Sequence, residues 1–259
     1  MPRIEDLLVG YDAQQALLVD WLRQLPAESI EGPSRLAGWT VRQLAFHVTE
    51  VPRALCIAIE GTPSGEPVLS IADYTSKWRQ SAGQIAQRAV DAAGTLSSME
   101  LAQRLETEGE AMHRALDGVP DGRVVTARRG PIKAADMVTT RVNELVVHSL
   151  DLSASVRVSA ALTIDPGALG VACRMLAQIL AERAPGRSVE LRIPPYAAVQ
   201  CVEGPRHTRG TPGSVVEVDP IVWVEVASGR VGWEDAVATG GLYGSGERSD
   251  LSALLPLLS

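Results

Sequence analysis

The stretch RVNELVVHSLDL, Arg141–Leu152, decides how this sequence folds. Val142, Leu145, Val146 and Leu152 recur at the three-to-four spacing of a packed helix, and Met137 and Val138 carry the pattern back toward Lys133. A helix is predicted from Lys133 to about Val156. On it Glu144 and His148 stand four residues apart, about 400° of turn and roughly 6 Å of rise, so one side chain lies above the other. A carboxylate and an imidazole stacked in this way can share a ligand. The spacing also has a plainer reading: Arg141, Glu144, His148 and Asp151 form one stripe, the pattern of a solvated face with ordinary charge pairing.

Upstream, GWTVRQLAFHV (Gly38–Val48) announces a second helix. Thr40 followed three residues later by Gln43 is a capping box, which places the helix start at Val41. Its apolar stripe runs through Leu44, Val48, Val51 and Leu55 with His47 inside it, and Pro52 is expected to bend it. Leu7, Tyr11, Leu18 and Leu22 predict an amphipathic helix over residues 4 to 25, ended near Pro26. Further helices are expected over Ile71 to Ala93, after the GTPSGEP turn cluster, and over Ser97 to Leu116. The GRVVTARRGP stretch breaks the helical pattern.

Beyond residue 157 the texture changes. LTIDPGALG opens a helix running to about Ala184, SVELRIP and YAAVQCVEG read as strands, and GTPGSVVEVDP gives a turn and a short strand. IVWVEVASG and WEDAVATG read as short helices and DLSALLPLL as a terminal one. Gly241–Arg248, GLYGSGER, lacks the spacing of a phosphate loop and reads as a tight strand-and-turn passage. The plan is multidomain, α and then α+β: a helical bundle over residues 1–157 and a small α+β domain over 158–259.

Composition narrows the functional classes. The 259 residues are 46% apolar with a net charge of -7 and no basic run, which argues for a globular protein and against a nucleic-acid partner. No apolar stretch approaches the ~20 residues of a membrane span. Glu5 and Asp6 fall where a secretory signal would be apolar, so a cytoplasmic location is expected. Cys56, Cys173 and Cys201 are widely spaced, form no C-x-x-C pair and suit reduced thiols. No G-x-S-x-G occurs, and no cysteine has a nearby histidine to mark a catalytic thiol.

The chemistry-bearing constellation is therefore His47 with Glu144 and His148. Two imidazoles and a carboxylate suit a divalent metal, zinc above all, and three protein ligands leave a fourth position for water, thiol or substrate. Two ligands at four-residue spacing with a third from elsewhere is also the geometric logic of H-E-x-x-H enzymes, although that motif is absent. His47 alone has a second reading, a core histidine satisfied by hydrogen bonds. His113, in TEGEAMHRAL, is expected to face solvent, and His207, with Arg206 and Arg209, to sit in a soluble turn.

GWTVRQLAFHV and TTRVNELVVHSLDL resemble the two motifs of the mycothiol-dependent maleylpyruvate isomerase family, itself among the DinB-like metal-binding bundles. The resemblance covers roughly the first 155 residues. It implies a four-helix bundle with zinc held by residues matching His47, Glu144 and His148, and mycothiol as cosubstrate. VEVDPIVWVEVASGRVGWEDAVATGGLYGSGERSDLSALLPLL resembles the bacterial sterol-carrier-like domains often joined to that bundle. In the isomerase an arginine of the second domain assists catalysis, and Arg230 and Arg248 are its candidates here.

On this reading the metal presents a small-molecule thiol as a thiolate, which adds to an electrophilic substrate in S-transfer or in addition-and-release isomerisation. Arg141 and Asp151 are then placed to orient the ligands. The alternatives are a metal site without turnover, or a carrier of a hydrophobic ligand with the bundle as scaffold. In the carrier Leu191, Ile193, Val199, Ile221 and Trp223 would line a cavity, although any small α+β core needs such residues. A monomer or homodimer is expected.

Overall fold

The computed structural model describes residues 2–62, 64–156, 161–204 and 213–258. His207, Arg206 and Arg209, the turn read from GTPG, and the expected domain boundary at 157/158 lie outside the described residues.

Four long helices form the bundle: α1 (Ile4–Gln24), α2 (Val41–Glu60), α5 (Ser98–Leu116) and α6 (Ala134–Ser155). Each of α1 and α2 packs against both α5 and α6. Leu44 and Leu55 of α2 and Leu101 and Leu105 of α5 are fully buried, each contributing about 1.5–3 kcal/mol by leaving water. The start of α2 is fixed as expected: Thr40 Oγ1 accepts from the Gln43 amide at 3.3 Å while Gln43 Oε1 accepts from the Thr40 amide at 2.9 Å. Ser97 and Glu100 repeat the device at α5.

The helix expected over Ile71 to Ala93 is two, α3 (Ile71–Ser76) and α4 (Trp78–Ala93), broken at Lys77, whose ψ is 5°. The Lys77 ammonium donates to the Arg129 carbonyl at 3.3 Å and ties the junction to the segment between α5 and α6. That segment, GRVVTARRGP, is a β-hairpin of β1 (Val124–Ala127) and β2 (Gly130–Lys133), with Arg128 and Arg129 at its tip.

Helix α7 (Pro166–Arg183) follows, capped by Asp165, whose Oδ1 accepts from the Ala168 amide at 2.8 Å with Pro166 in the first turn. It packs against both α1 and α6. A Cβ on Gly10 would lie 2.9 Å from the Ala168 nitrogen, so glycine sets how closely α1 and α7 approach. Buried Gln14 joins the three helices: its Nε2 donates to Ser149 Oγ at 3.2 Å and its Oε1 accepts from the Asp165 amide at 2.8 Å.

The second domain's sheet runs β4-β3-β5-β6, from β3 (Val189–Ile193), β4 (Ala197–Cys201), β5 (Ser214–Val218) and β6 (Leu242–Ser245); β3 and β5 are parallel and the other pairs antiparallel. Between β5 and β6 lie α8 (Pro220–Ala227), capped by Asp219, and α9 (Trp233–Ala238). Trp223 is fully buried and its Nε1 donates to the Cys173 carbonyl at 3.3 Å, locking α8 to α7. Leu191 and Ile193 are also fully buried, Val199 packs partly buried against the core and Ile221 is exposed, so these residues build a core. DLSALLPLL forms only a 3₁₀ turn at Ser252–Leu254, because Pro256 cannot donate and pushes Leu255 into an extended conformation. The amides of Leu257 and Leu258 bond instead to the Ala227 carbonyl.

Candidate metal centre

Packing α2 against α6 brings His47 to Glu144 and His148. One ligand atom from each lies within 4.8 Å of the others, and His47 Nε2 stands 3.3 Å from Glu144 Oε1. The two imidazole rings meet edge-on at 4.8 Å, and Trp39 lies edge-on to His47 at 5.5 Å. Three donors from two helices, two nitrogens and one carboxylate oxygen, form a set that a zinc-sized divalent ion accepts.

The stripe on α6 is buried, which corrects its reading as a solvated face. Side-chain exposure is 5% for Arg141, 13% for Glu144, 12% for His148 and 0% for Asp151. The second domain and α2 cover what the α6 sequence alone would leave to water.

Each candidate ligand on α6 has an orienting partner. Arg141 Nη1 donates to Glu144 Oε2 at 2.6 Å. Burial works to raise the Glu144 carboxyl, but Arg141 and the His47 hydrogen bond outweigh it and hold the group well below the usual carboxylate range. Asp151 Oδ2 lies 3.0 Å from His148 Nδ1. An ionised carboxylate only accepts, so Nδ1 carries the proton and the Nε2 lone pair is left for a metal. Burial lowers the His148 imidazole more than Asp151 raises it, keeping it neutral as ligation requires.

Asp151 is held in turn from the second domain. Arg230 donates Nε to Oδ1 at 3.0 Å and Nη2 to Oδ2 at 2.9 Å, a two-point clamp. Burial would raise Asp151, yet His148 and Arg230 together hold it down at about 2. The Ser228-Gly229-Arg230 turn makes this reach possible. Gly229 has φ +74°, in the left-handed region that favours glycine, and Arg230 Nη1 bonds back to the Ser228 carbonyl at 2.8 Å. Arg35 braces the same turn, donating to Glu225 at 2.6 Å and to the Arg230 carbonyl at 3.1 Å. Arg248 is placed elsewhere: its Nη1 lies 3.4 Å from the Glu203 carbonyl and its amide bonds Ser214, so the structure does not bring it to the histidines.

Two cavities open on the centre. One of about 190 Å³ lies at the domain junction and is lined by His47, Glu144, His148, Trp39, Trp78 and Arg230, among others. Another of about 320 Å³ reaches His47 and Glu144 from the bundle side. Arg129 lines both, a residue sequence reasoning passed over inside a stretch read only as a break in helical pattern.

The remaining candidates fall outside the centre. His113 pairs with Asp12 at 2.7 Å on the exposed bundle surface. The three cysteines are free thiols, and burial pushes Cys173 up to about 12 and Cys201 to about 11, which disfavours the thiolate at these two. Among the described residues no helix is long and apolar enough to cross a membrane.

Fold and site together define a class: a helical bundle with a two-histidine, one-carboxylate cluster, closed on one side by an α+β domain. The chain belongs to the family of the mycothiol maleylpyruvate isomerase N-terminal domain, whose model matches residues 11–153, and residues 165–257 match the family described as bacterial SCP ortholog. Crystal structures of the mycothiol-dependent maleylpyruvate isomerase and of a histidine-to-alanine variant of it share the fold at a TM-score of 0.62 and 19% identity, covering 95% of both chains. An uncharacterized protein found in two strains of Mycobacterium tuberculosis is 28% identical over 152 residues, 59% of this chain. The match spans about half, 55%, of that relative's length.

Proposed function

We propose that the chain is a mycothiol-dependent metalloenzyme in which His47, Glu144 and His148 hold one divalent metal, with zinc the ion this donor set suits. The observation that carries the reading is the convergence of these ligand atoms within 4.8 Å, with His148 and Glu144 each oriented by a buried charged partner. A metal bound there would supply a Lewis acid that favours the thiolate over the thiol. The residues supply the rest. Asp151 fixes the His148 tautomer, Arg141 keeps Glu144 ionised, and Trp39, Trp78 and Val147 give the junction cavity apolar lining.

The reaction class is addition of the thiol sulfur to an electrophilic carbon. The S–H proton leaves to solvent as the thiolate forms. The sulfur pair then makes the C–S bond while the carbon–carbon π pair moves to the neighbouring carbon, which takes a proton from solvent in S-transfer. In isomerisation, rotation about the resulting single bond precedes return of that pair to the double bond and departure of the thiolate. Arg230 acts here as a positioning residue, holding Asp151 from the second domain. We take the bundle domain as residues 1–157 and the sterol-carrier-like domain as 158–259, a division supported by the end of α6 at Ser155 and the start of α7 at Pro166.

The test is turnover: mycothiol with a panel of electrophiles including maleylpyruvate, following thiol consumption and product isomer by chromatography. Activity that requires mycothiol, disappears on chelation and returns with zinc is expected. Activity that survives His148→Ala after metal removal would overturn the reading.

A further inference from the structure

Among the described residues, the second domain lines the junction cavity with Ser228, Arg230 and Leu258. Two of these are already committed: the Ser228 hydroxyl donates to the Val224 carbonyl at 2.6 Å, and the Arg230 guanidinium clamps Asp151. Leu258 is left to shape the space.

Its position is fixed from several directions. The amides of Leu257 and Leu258 donate to the Ala227 carbonyl, at the end of α8, at 2.7 and 3.2 Å. Arg183 Nη1, from the last turn of α7, donates to the Leu257 carbonyl at 2.7 Å, and Nη2 of the same residue reaches the Ala72 carbonyl of α3 at 3.4 Å. Pro256 packs on the turn that carries Arg230, since a Cβ on Gly229 would lie 3.2 Å from Pro256 Cγ. Leu258 itself is 8% exposed. So short a tether keeps it from moving aside for a bulky ligand unless these backbone hydrogen bonds are given up.

The bundle walls are braced as well: Trp39 stands against His47, and the Trp78 ring lies 5.3 Å from the Arg129 guanidinium. In a space of about 190 Å³, one leucine forms a sizeable part of the boundary. A single methylene more or fewer in an apolar pocket is worth about 10- to 200-fold in discrimination.

We infer that Leu258 is the specificity-determining residue of the junction cavity, a steric filter that admits a slender group to the histidine cluster and excludes a bulky one. That the admitted group is a thiol rests on the proposed function; the filter stands on the cavity wall.

The test follows exogenous ligands by absorption on the cobalt-loaded full chain, with ethanethiol against 2-methyl-2-propanethiol and imidazole against 4-phenylimidazole. Wild type is expected to prefer the smaller member of each series by about tenfold or more. Leu258→Ala should remove most of that preference at unchanged cobalt content. Leu258→Phe, which keeps an apolar side chain on the same tether, should deepen it. Equal affinity for the small and the bulky member of a series that binds, or a preference unchanged in either folded variant, would overturn the filter and leave the metal–thiol reading standing wherever thiols bind. Imidazoles sorted by size with no response to either thiol would keep the filter and refute the metal–thiol reading. Cobalt that is not taken up, or no response to either series, would overturn both.

Discussion

Removing the Arg230 side chain separates its role at the metal centre from that of an ordinary surface arginine. Arg230→Ala deletes both donors to Asp151, at 3.0 and 2.9 Å, and leaves a carboxylate that is 0% exposed with His148 as its remaining ionisable partner. Breaking a fully buried pair costs about 3–5 kcal/mol. Arg230 itself is 21% exposed, so water can enter the space it leaves, and a loss on the order of 2–3 kcal/mol is expected. The Arg35 bond to the Arg230 carbonyl survives the substitution, so the turn keeps its brace. Without the clamp, Asp151 no longer holds the His148 ring in one orientation, and zinc affinity should fall by roughly 10- to 100-fold. Urea denaturation of the metal-free chain reads the first effect, and competition with a chromophoric chelator reads the second. Arg248→Ala is the control and should leave zinc affinity unchanged. If Arg230→Ala alters neither stability nor zinc affinity beyond twofold, the relay from the second domain to the metal is refuted.

Asp151 also gives a pH signature. Its carboxyl is depressed from 3.8 to about 2 in the folded chain, so its stabilisation is complete above the unfolded value and lost as pH falls through about 2; the size is on the order of 2 kcal/mol. Asp151→Asn should flatten that part of the acid limb of an unfolding-versus-pH curve, and an unchanged limb would contradict the assignment. Thr40→Ala removes the capping box that sets the register of His47 and should cost about 1 kcal/mol in denaturant unfolding; no loss would mean another contact fixes the start of α2. Gly10→Ala places a Cβ 2.9 Å from backbone of α7, and the forced separation should cost about 1–3 kcal/mol, read as a lowered melting temperature. An unchanged melting temperature would show that α1 and α7 part without strain.

What the sequence made legible was local. The Thr40–Gln43 box, the Asp165-Pro166 and Asp219-Pro220 helix starts and the four-residue step from Glu144 to His148 each act within one turn, so their spacing suffices to read them. Contacts made at long range were not legible. Nothing near Asp151 announces that Arg230, 79 residues later, will cover it, and the α6 stripe therefore reads equally well as a solvated face. The break at Lys77 depends on a carbonyl 52 residues away, and Arg129 is held against the rings of Tyr74 and Trp78, which lie well upstream of it. The lost terminal helix was readable: Pro256 already forbade it.

The central claim is that His47, Glu144 and His148 hold one ion. Its most direct test is metal content per chain, by mass spectrometry, of protein purified without chelator or metal-affinity tag and then equilibrated with zinc and dialysed. Wild type should retain close to one zinc per chain, while His47→Ala, Glu144→Ala and His148→Ala, each checked for folding by circular dichroism, should retain almost none. Zinc absent from folded wild type, or retained at full stoichiometry by any of the three folded variants, would contradict the account.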